Sequence, residues 1–136
     1  MAIETYHPND QQDLIELWLQ LFPNNGAHNE PTLMLAAKRE VDDLIFVAKE
    51  DGELVGACMA GYDGHRGWLY AVSVRPDHQG EGIGRALVTH ALDALREIGC
   101  IKVNLQVRED NKQVVQFYEA LGFSVEPRVS MGLLLD

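Results

Sequence analysis

The amino-acid sequence predicts a mixed α/β domain, and three observations carry that reading. Some stretches alternate apolar and polar residues, as at Ile101, Val103, Leu105 and Val107, and a period of two belongs to a strand packed on one face. In others apolar residues recur every three or four positions, as at Leu87, Ala91, Leu95 and Ile98, which is the spacing of one helix face. Between them stand short clusters of Gly, Asn, Asp and Pro that turn the chain.

In chain order, residues 2–6 form a first strand, and Pro8, Asn9 and Asp10 stop it and cap a helix. Leu14, Trp18 and Leu21, with Ile15 and Phe22 beside them, make the apolar side of that helix, and residues 23–26, PNNG, break it. Asn29 is the expected cap of a second helix that runs to about Glu40. Pro31 suits its first turn, and Leu33, Met34 and Ala37 share one side. Residues 44–49 and 54–60 are strands joined through Asp51-Gly52, a pair suited to a tight hairpin. Residues 62–67, YDGHRG, reverse the chain into a strand at 68–74, which Pro76 must end. The helix carrying Leu87 stops at Gly99. After the strand at 101–107, Asp110 and Asn111 offer caps to a fourth helix carrying Val114, Phe117, Tyr118 and Leu121, closed by Gly122. Val129, Met131, Leu133 and Leu135 alternate again, so the tail is expected to return to the sheet.

At 136 residues the chain fits one domain, residues 1–136, with room for one core. The longest apolar runs, 44–48 and 133–135, are far too short to cross a bilayer, and the first ten residues have neither a basic region nor an apolar core. The expectation is a soluble, cytoplasmic protein with no membrane partner. Eleven Lys and Arg stand against 21 Asp and Glu, a formal charge of −10. That balance argues against a nucleic-acid surface and is compatible with a cationic acceptor such as an amine. Cys58 and Cys100 lie in apolar contexts without CxxC spacing and read as buried free thiols. His7, His28, His78 and His90 are scattered, without HxxxH or HExxH spacing, so solvated or capping roles are expected and no metal site.

The densest signal is residues 75–87, RPDHQGEGIGRAL, where glycines occupy every second position ahead of a helix. Glycine there costs about 1 kcal/mol against alanine, and what it offers in return is a bare backbone. Unhindered N–H groups at a helix start, with the partial positive charge of the helix end, favour an anion, most often phosphate. Two familiar phosphate loops fail on spacing. The nucleotide loop needs Gly-Lys-Ser or Gly-Lys-Thr, but Gly84 precedes Arg85-Ala86. The dinucleotide fingerprint needs a third glycine where Arg85 stands.

What remains is Gln79-x-x-Gly82-x-Gly84 after Val72-Ser73-Val74-Arg75-Pro76. This resembles the signature [RQ]-x-x-G-x-[GA] of the GNAT superfamily of acyl-CoA-dependent N-acyltransferases, which follows a strand ending in V-x-P. Asn111 with Phe117-Tyr118-Glu119-Ala120-Leu121-Gly122-Phe123 resembles the family's second cofactor motif. The order of elements matches the family fold over essentially the whole chain.

The resemblance implies a central, mostly antiparallel sheet of six or seven strands flanked by four helices and splayed between the fourth and fifth strands. It implies transfer of an acetyl group from acetyl-CoA, a co-substrate that needs no metal, to the amine of a small molecule or peptide. Separately, the alternating strand expected at Val129 to Leu135 would allow pairing between subunits in a homodimer. The amides of Gln79, Gly80, Glu81, Gly82, Ile83, Gly84 and Arg85 would hold the pyrophosphate, with Arg85 adding charge. The main chain of Val72, Ser73 and Val74 would pair with the pantetheine arm and polarise the thioester carbonyl, and Asn111 would contact the arm. Tyr118 stands where the family places the acid that protonates the departing thiolate. Many relatives carry a carboxylate on the strand before the loop, where this chain has Trp68, Tyr70 and Ala71. Relatives that acetylate protein N-termini often have LEVR where residues 105–108 read LQVR, and neutral Gln106 takes no proton. Asp63, His65 and Glu109 are therefore the candidates for a proton relay. A non-catalytic acyl-CoA sensor is the alternative function.

Overall fold

Among the described residues five strands stand side by side in sequence order: β1 (Ala2–Thr5), β2 (Ile45–Glu50), β3 (Glu53–Tyr62), β4 (Gly67–Val74) and β5 (Val103–Asn104). The first four are antiparallel, and β5 joins β4 in parallel. The computed structural model describes residues 1–22, 28 and 30–135, in two units, Met1–Leu105 and Gln106–Asp136. The sheet lies in the first. Its β2–β3 hairpin turns through Asp51 (φ 52°) and Gly52 (φ 79°), the paired left-handed conformations that Asp-Gly readily supplies.

β3 is buried from Leu54 to Ala60, a continuous apolar run of the kind seen where both sheet faces are covered. On one face, helix α1 (Gln11–Leu21) buries Leu14, Leu17 and Trp18 with Tyr6, Leu35, Ile45, Val47, Leu54, Ala57 and Met59. On the other, helix α3 (Ile83–Glu97) buries Ile83, Leu87, Val88, Ala91 and Leu95. It reaches Phe46 through the ring of His90, 4.8 Å between centroids, and Cys58 through the Leu87 carbonyl. Gly56 lets α3 come close, because a Cβ there would lie 2.8 Å from the Ser73 carbonyl oxygen and 3.1 Å from carbons of Ile83 and Leu87.

A short 3₁₀ turn, Pro8–Asp10, leads into α1. The His7 ring accepts the Asn9 amide, and the Asp10 carboxylate accepts the His7 amide at 2.9 Å. Asp10 is buried and meets Lys49 Nζ at 2.8 Å. Burial pushes its carboxyl up, but hydrogen bonds from Lys49 and from the His7 amide, with the charge of Lys49, outweigh burial and hold it below its usual value.

Several sequence expectations need correction. Helix α2 (Pro31–Val41) is capped by Glu30, whose carboxylate accepts the amides of Thr32 and Leu33; Asn29, the expected cap, and residues 23–26 lie outside the described residues. The face α2 buries is Pro31 and Leu35, whereas Leu33 and Ala37 are exposed and Met34 is half-buried. Four-residue spacing fits either choice, and packing against α1 selected the other stripe. Ile98 is likewise exposed, one step past the end of α3.

The strand expected at 101–107 pairs only at Val103 and Asn104, because its neighbour β4 parts from it. The expected tail strand is not formed. Residues 124–135 carry no strand, and Val129, Met131, Leu133 and Leu135 are exposed. Among the described residues the sheet therefore has five strands rather than six or seven. Alternation records a face that is able to pack, but a ladder also needs a partner edge. Within the second unit, helix α4 (Lys112–Ala120) forms as expected and stops before Gly122.

Candidate active site

β4 organises the candidate site residues of the first unit. Gly67 and Trp68 pair with Val103 and Asn104 of β5, and from Leu69 onward β4 is paired among the described residues only with β3. The two strands separate toward the end of β4 that leads into the glycine loop. A sheet edge opened in this way presents unpaired main-chain groups to an extended guest.

The same half of β4 carries a bulge. Met59 pairs with Tyr70 and Ala57 with Ser73, so that Cys58 alone opposes Ala71 and Val72. Ala71 takes φ 50°, a conformation that costs a side-chain-bearing residue about 1–2 kcal/mol. The buried Ser73 hydroxyl braces the bulge, donating toward the Ala71 carbonyl at 3.0 Å and the Ala57 carbonyl at 3.2 Å. A bulge re-aims the main-chain groups of its strand, and here those belong to Val72, Ser73 and Val74. No feature of the sequence announces it, since an alanine in a strand looks ordinary.

Beyond β4, a 3₁₀ turn at Pro76–His78 leads into Gln79, whose side chain reaches the Val74 carbonyl at 3.3 Å. Gly80 and Gly82 both take φ 84°. Nothing stands within 4 Å of where a Cβ would project from either, so their glycine serves conformation rather than crowding. Gly82 is the N-cap of α3 and offers no side-chain cap, and the first bond into that helix is Ala86 N–H to the Gly82 carbonyl at 3.1 Å. The amides of Ile83, Gly84 and Arg85 come before that bond, and those of Gln79 to Gly82 before the helix. Among the described residues none of the seven donates to an acceptor. A helix of fifteen residues adds its partial positive charge to this row. Arg85 is exposed at the same end.

The loop before β4 is built differently. Asp63 Oδ1 accepts the amides of His65 at 2.8 Å and Arg66 at 2.7 Å. Those two bonds, Arg66 first, hold its carboxyl below the usual value. Tyr62 closes the loop through its hydroxyl, toward the carbonyls of Gly64 and Gly99. The half-exposed Tyr70 phenol is pushed up by burial and by the charge of Asp63.

The remaining sequence candidates belong to the second unit. Asn111 Oδ1 caps α4 by accepting the Val114 amide at 3.3 Å. Tyr118, one helix face on, is 8% exposed and stacks edge-on with Phe117 and Phe123 at centroid distances of 4.9 and 5.5 Å. Glu109 is exposed in the turn before α4. The Gln106 amide donates to Ser130 Oγ.

Comparison with known proteins shows the family. A family model described as "Acetyltransferase (GNAT) family" matches residues 11–123, and the chain belongs to that family. An acetyltransferase of Sodalis glossinidius is 39% identical over 133 residues, covering 95% of this chain and 91% of the relative. The crystal structure of glucosamine-6-phosphate N-acetyltransferase from Arabidopsis thaliana superposes with a TM-score of 0.74 at 25% identity, covering 99% of this chain and 98% of that one. AAC(6')-Iy, in complex with the bisubstrate analog CoA-S-monomethyl-acetylneamine, superposes with a TM-score of 0.80 over 99% of this chain and 98% of that one. At 20% identity that last likeness speaks for the fold alone. Among the described residues no helix is long and apolar enough to cross a membrane.

Proposed function

We propose that this chain is an N-acetyltransferase that moves an acetyl group from acetyl-CoA to a primary amine of a small molecule or peptide, by direct attack within a ternary complex. The observation that carries the reading is the row of seven amides from Gln79 to Arg85 at the head of α3, unengaged among the described residues, beside the edge where β4 has left β5. Such a row is suited to a diphosphate, and the open edge to an extended, amide-bearing arm.

In this reading the main chain of Val72, Ser73 and Val74 binds the arm and directs an N–H at the thioester carbonyl. Withdrawing electrons from that carbonyl favours attack by the amine nitrogen. The C–N bond forms and the C–S bond breaks. Tyr118 donates its phenolic proton to the departing sulfur, and Asn111 adds a contact to the arm. The proton lost by the amine leaves through water, for which Asp63, His65 and Glu109 are the candidate acceptors. Of these, Asp63 has the weakest support, since its carboxylate already serves two loop amides.

The test is release of free thiol from acetyl-CoA in the presence of a panel of amines. The expected result is release with at least one cationic amine, and a Tyr118→Phe variant that keeps acetyl-CoA binding while kcat falls about 100-fold. The absence of a carboxylate at Trp68, Tyr70 and Ala71 favours a second reading, a non-catalytic acyl-CoA sensor. Binding without thiol release across the whole panel would select the sensor.

A further inference from the structure

Beside the glycine loop, three side chains from two separate segments converge. Glu50 ends β2, His78 closes the 3₁₀ turn after β4, and Glu81 sits between Gly80 and Gly82. His78 Nδ1 lies 3.3 Å from Glu81 Oε1 and 3.5 Å from Glu50 Oε2. The three donor atoms fall within 4.8 Å of one another, with His78 and Glu50 partly buried and Glu81 open to solvent.

A single ring nitrogen therefore faces two carboxylates, and one N–H has one proton to give. The contact to Glu81 is a long hydrogen bond and that to Glu50 an ion-pair distance. Both also match the edge of a coordination tetrahedron. Ligand atoms about 2.0–2.2 Å from a zinc ion stand about 3.3–3.6 Å apart at tetrahedral angles. We propose that Glu50, His78 and Glu81 form a binding site for a divalent transition metal of the zinc type, tying the end of β2 to the glycine loop. An imidazole with two carboxylates suits zinc better than magnesium or calcium, which prefer oxygen throughout. Three protein ligands with one open side leave the fourth position to water.

The site also resolves an electrostatic conflict. Glu50, Asp77 and Glu81 set negative charge around a row of amides suited to an anion, in a chain of formal charge −10. A divalent cation cancels the two carboxylates that hold it, and it ties Glu81, between two glycines, to the end of β2. The coupling to donor binding rests on the acetyl-CoA reading, whereas the metal site does not.

The experiment is calorimetric titration of zinc chloride into the full chain, stripped with EDTA and dialysed, with no donor present. One equivalent should bind. His78→Ala and Glu50→Gln should each weaken binding at least about tenfold, while His65→Ala leaves it unchanged. Thermal melting without zinc checks that the variants fold, and Glu50→Gln, which keeps the shape of the side chain, carries the test should His78→Ala not fold. Absence of heat, or undiminished binding by the folded variants, overturns the site. In a second arm, zinc should tighten acetyl-CoA binding several-fold relative to EDTA in the wild type and not in Glu50→Gln. Equal affinity in the wild type with and without zinc overturns the coupling. No acetyl-CoA binding under either condition counts against the acetyl-CoA reading, and the zinc titration then decides the metal site by itself.

Discussion

The two loops at the ends of β4 share a composition and differ in what becomes of their amides. Each carries glycines, a histidine and at least one acidic residue, and each has glycine at positive φ. In the loop before β4, Asp63 reaches forward to the amides of His65 and Arg66 and so closes the turn on itself. In the loop after β4 no side chain among the described residues does this, and seven amides stand open ahead of α3. Glycine content does not make an anion site. Whether an upstream side chain accepts them decides whether backbone donors serve the fold or a ligand.

That contrast is broken most severely by filling the open loop. Alanine at both Gly80 and Gly82 must hold left-handed backbone at a cost of about 1–2 kcal/mol each. The loop is expected to relax out of its geometry, raising the Kd for acetyl-CoA about tenfold or more. Gly64→Ala in the closed loop, also at positive φ, should leave that Kd unchanged. Equal losses of affinity in the two loops would show that the contrast has no bearing on binding.

The open loop is supported from behind, where β3 meets the head of α3. Gly56→Ala should lower stability by about 1–3 kcal/mol through overpacking against Ser73, Ile83 and Leu87. Thermal melting reads this as a midpoint lower by several degrees, and an unshifted midpoint would mean that α3 gives way easily.

Away from both loops, Asp10 supplies a reference for an acid whose bonds serve stability alone. Asp10→Asn should cost about 1–3 kcal/mol at neutral pH. Because the folded carboxyl sits below its usual value, the unfolded chain takes up that proton first as pH falls. The stability Asp10 contributes is thus complete above its ordinary value of 3.8 and is lost as pH drops through the lower folded one. Denaturant melts at pH 7 and near pH 3 should show the gap between wild type and variant narrowing, and a constant gap would rule this assignment out.

The smallest effect is expected in the closed loop. Asp63→Ala releases the amides of His65 and Arg66, so hydrogen exchange at those two positions should quicken while the pH profile of kcat/KM keeps its shape. A clear change in that profile would instead place Asp63 in the proton relay.

Much of this architecture was legible from residues alone. Leu87, Ala91 and Leu95 are buried at the spacing that predicted their helix, and Asp51-Gly52 turns where a hairpin was expected. Asn111 caps the helix it precedes. The glycine motif, with the motif around Tyr118, was enough to indicate the family that the comparisons then showed. Other features were not legible, and each depends on a distant partner. Leu35 rather than Leu33 faces the core because α1 lies where it does. Alternation in the tail has no edge to meet, and Ala71 is bent by the count of residues opposite it on β3. His78 looked isolated because its companions Glu50 and Glu81 come from another segment and from three residues on.

Taken alone, then, the chain of residues determined which segments are helices and turns and which stretch has bare amides, since those depend on neighbours within a few positions. Only the tertiary structure decided how far β5 follows β4, where β4 bulges and which acids surround His78. These are set by strand pairing and packing between segments far apart in the chain, and no local pattern encodes them.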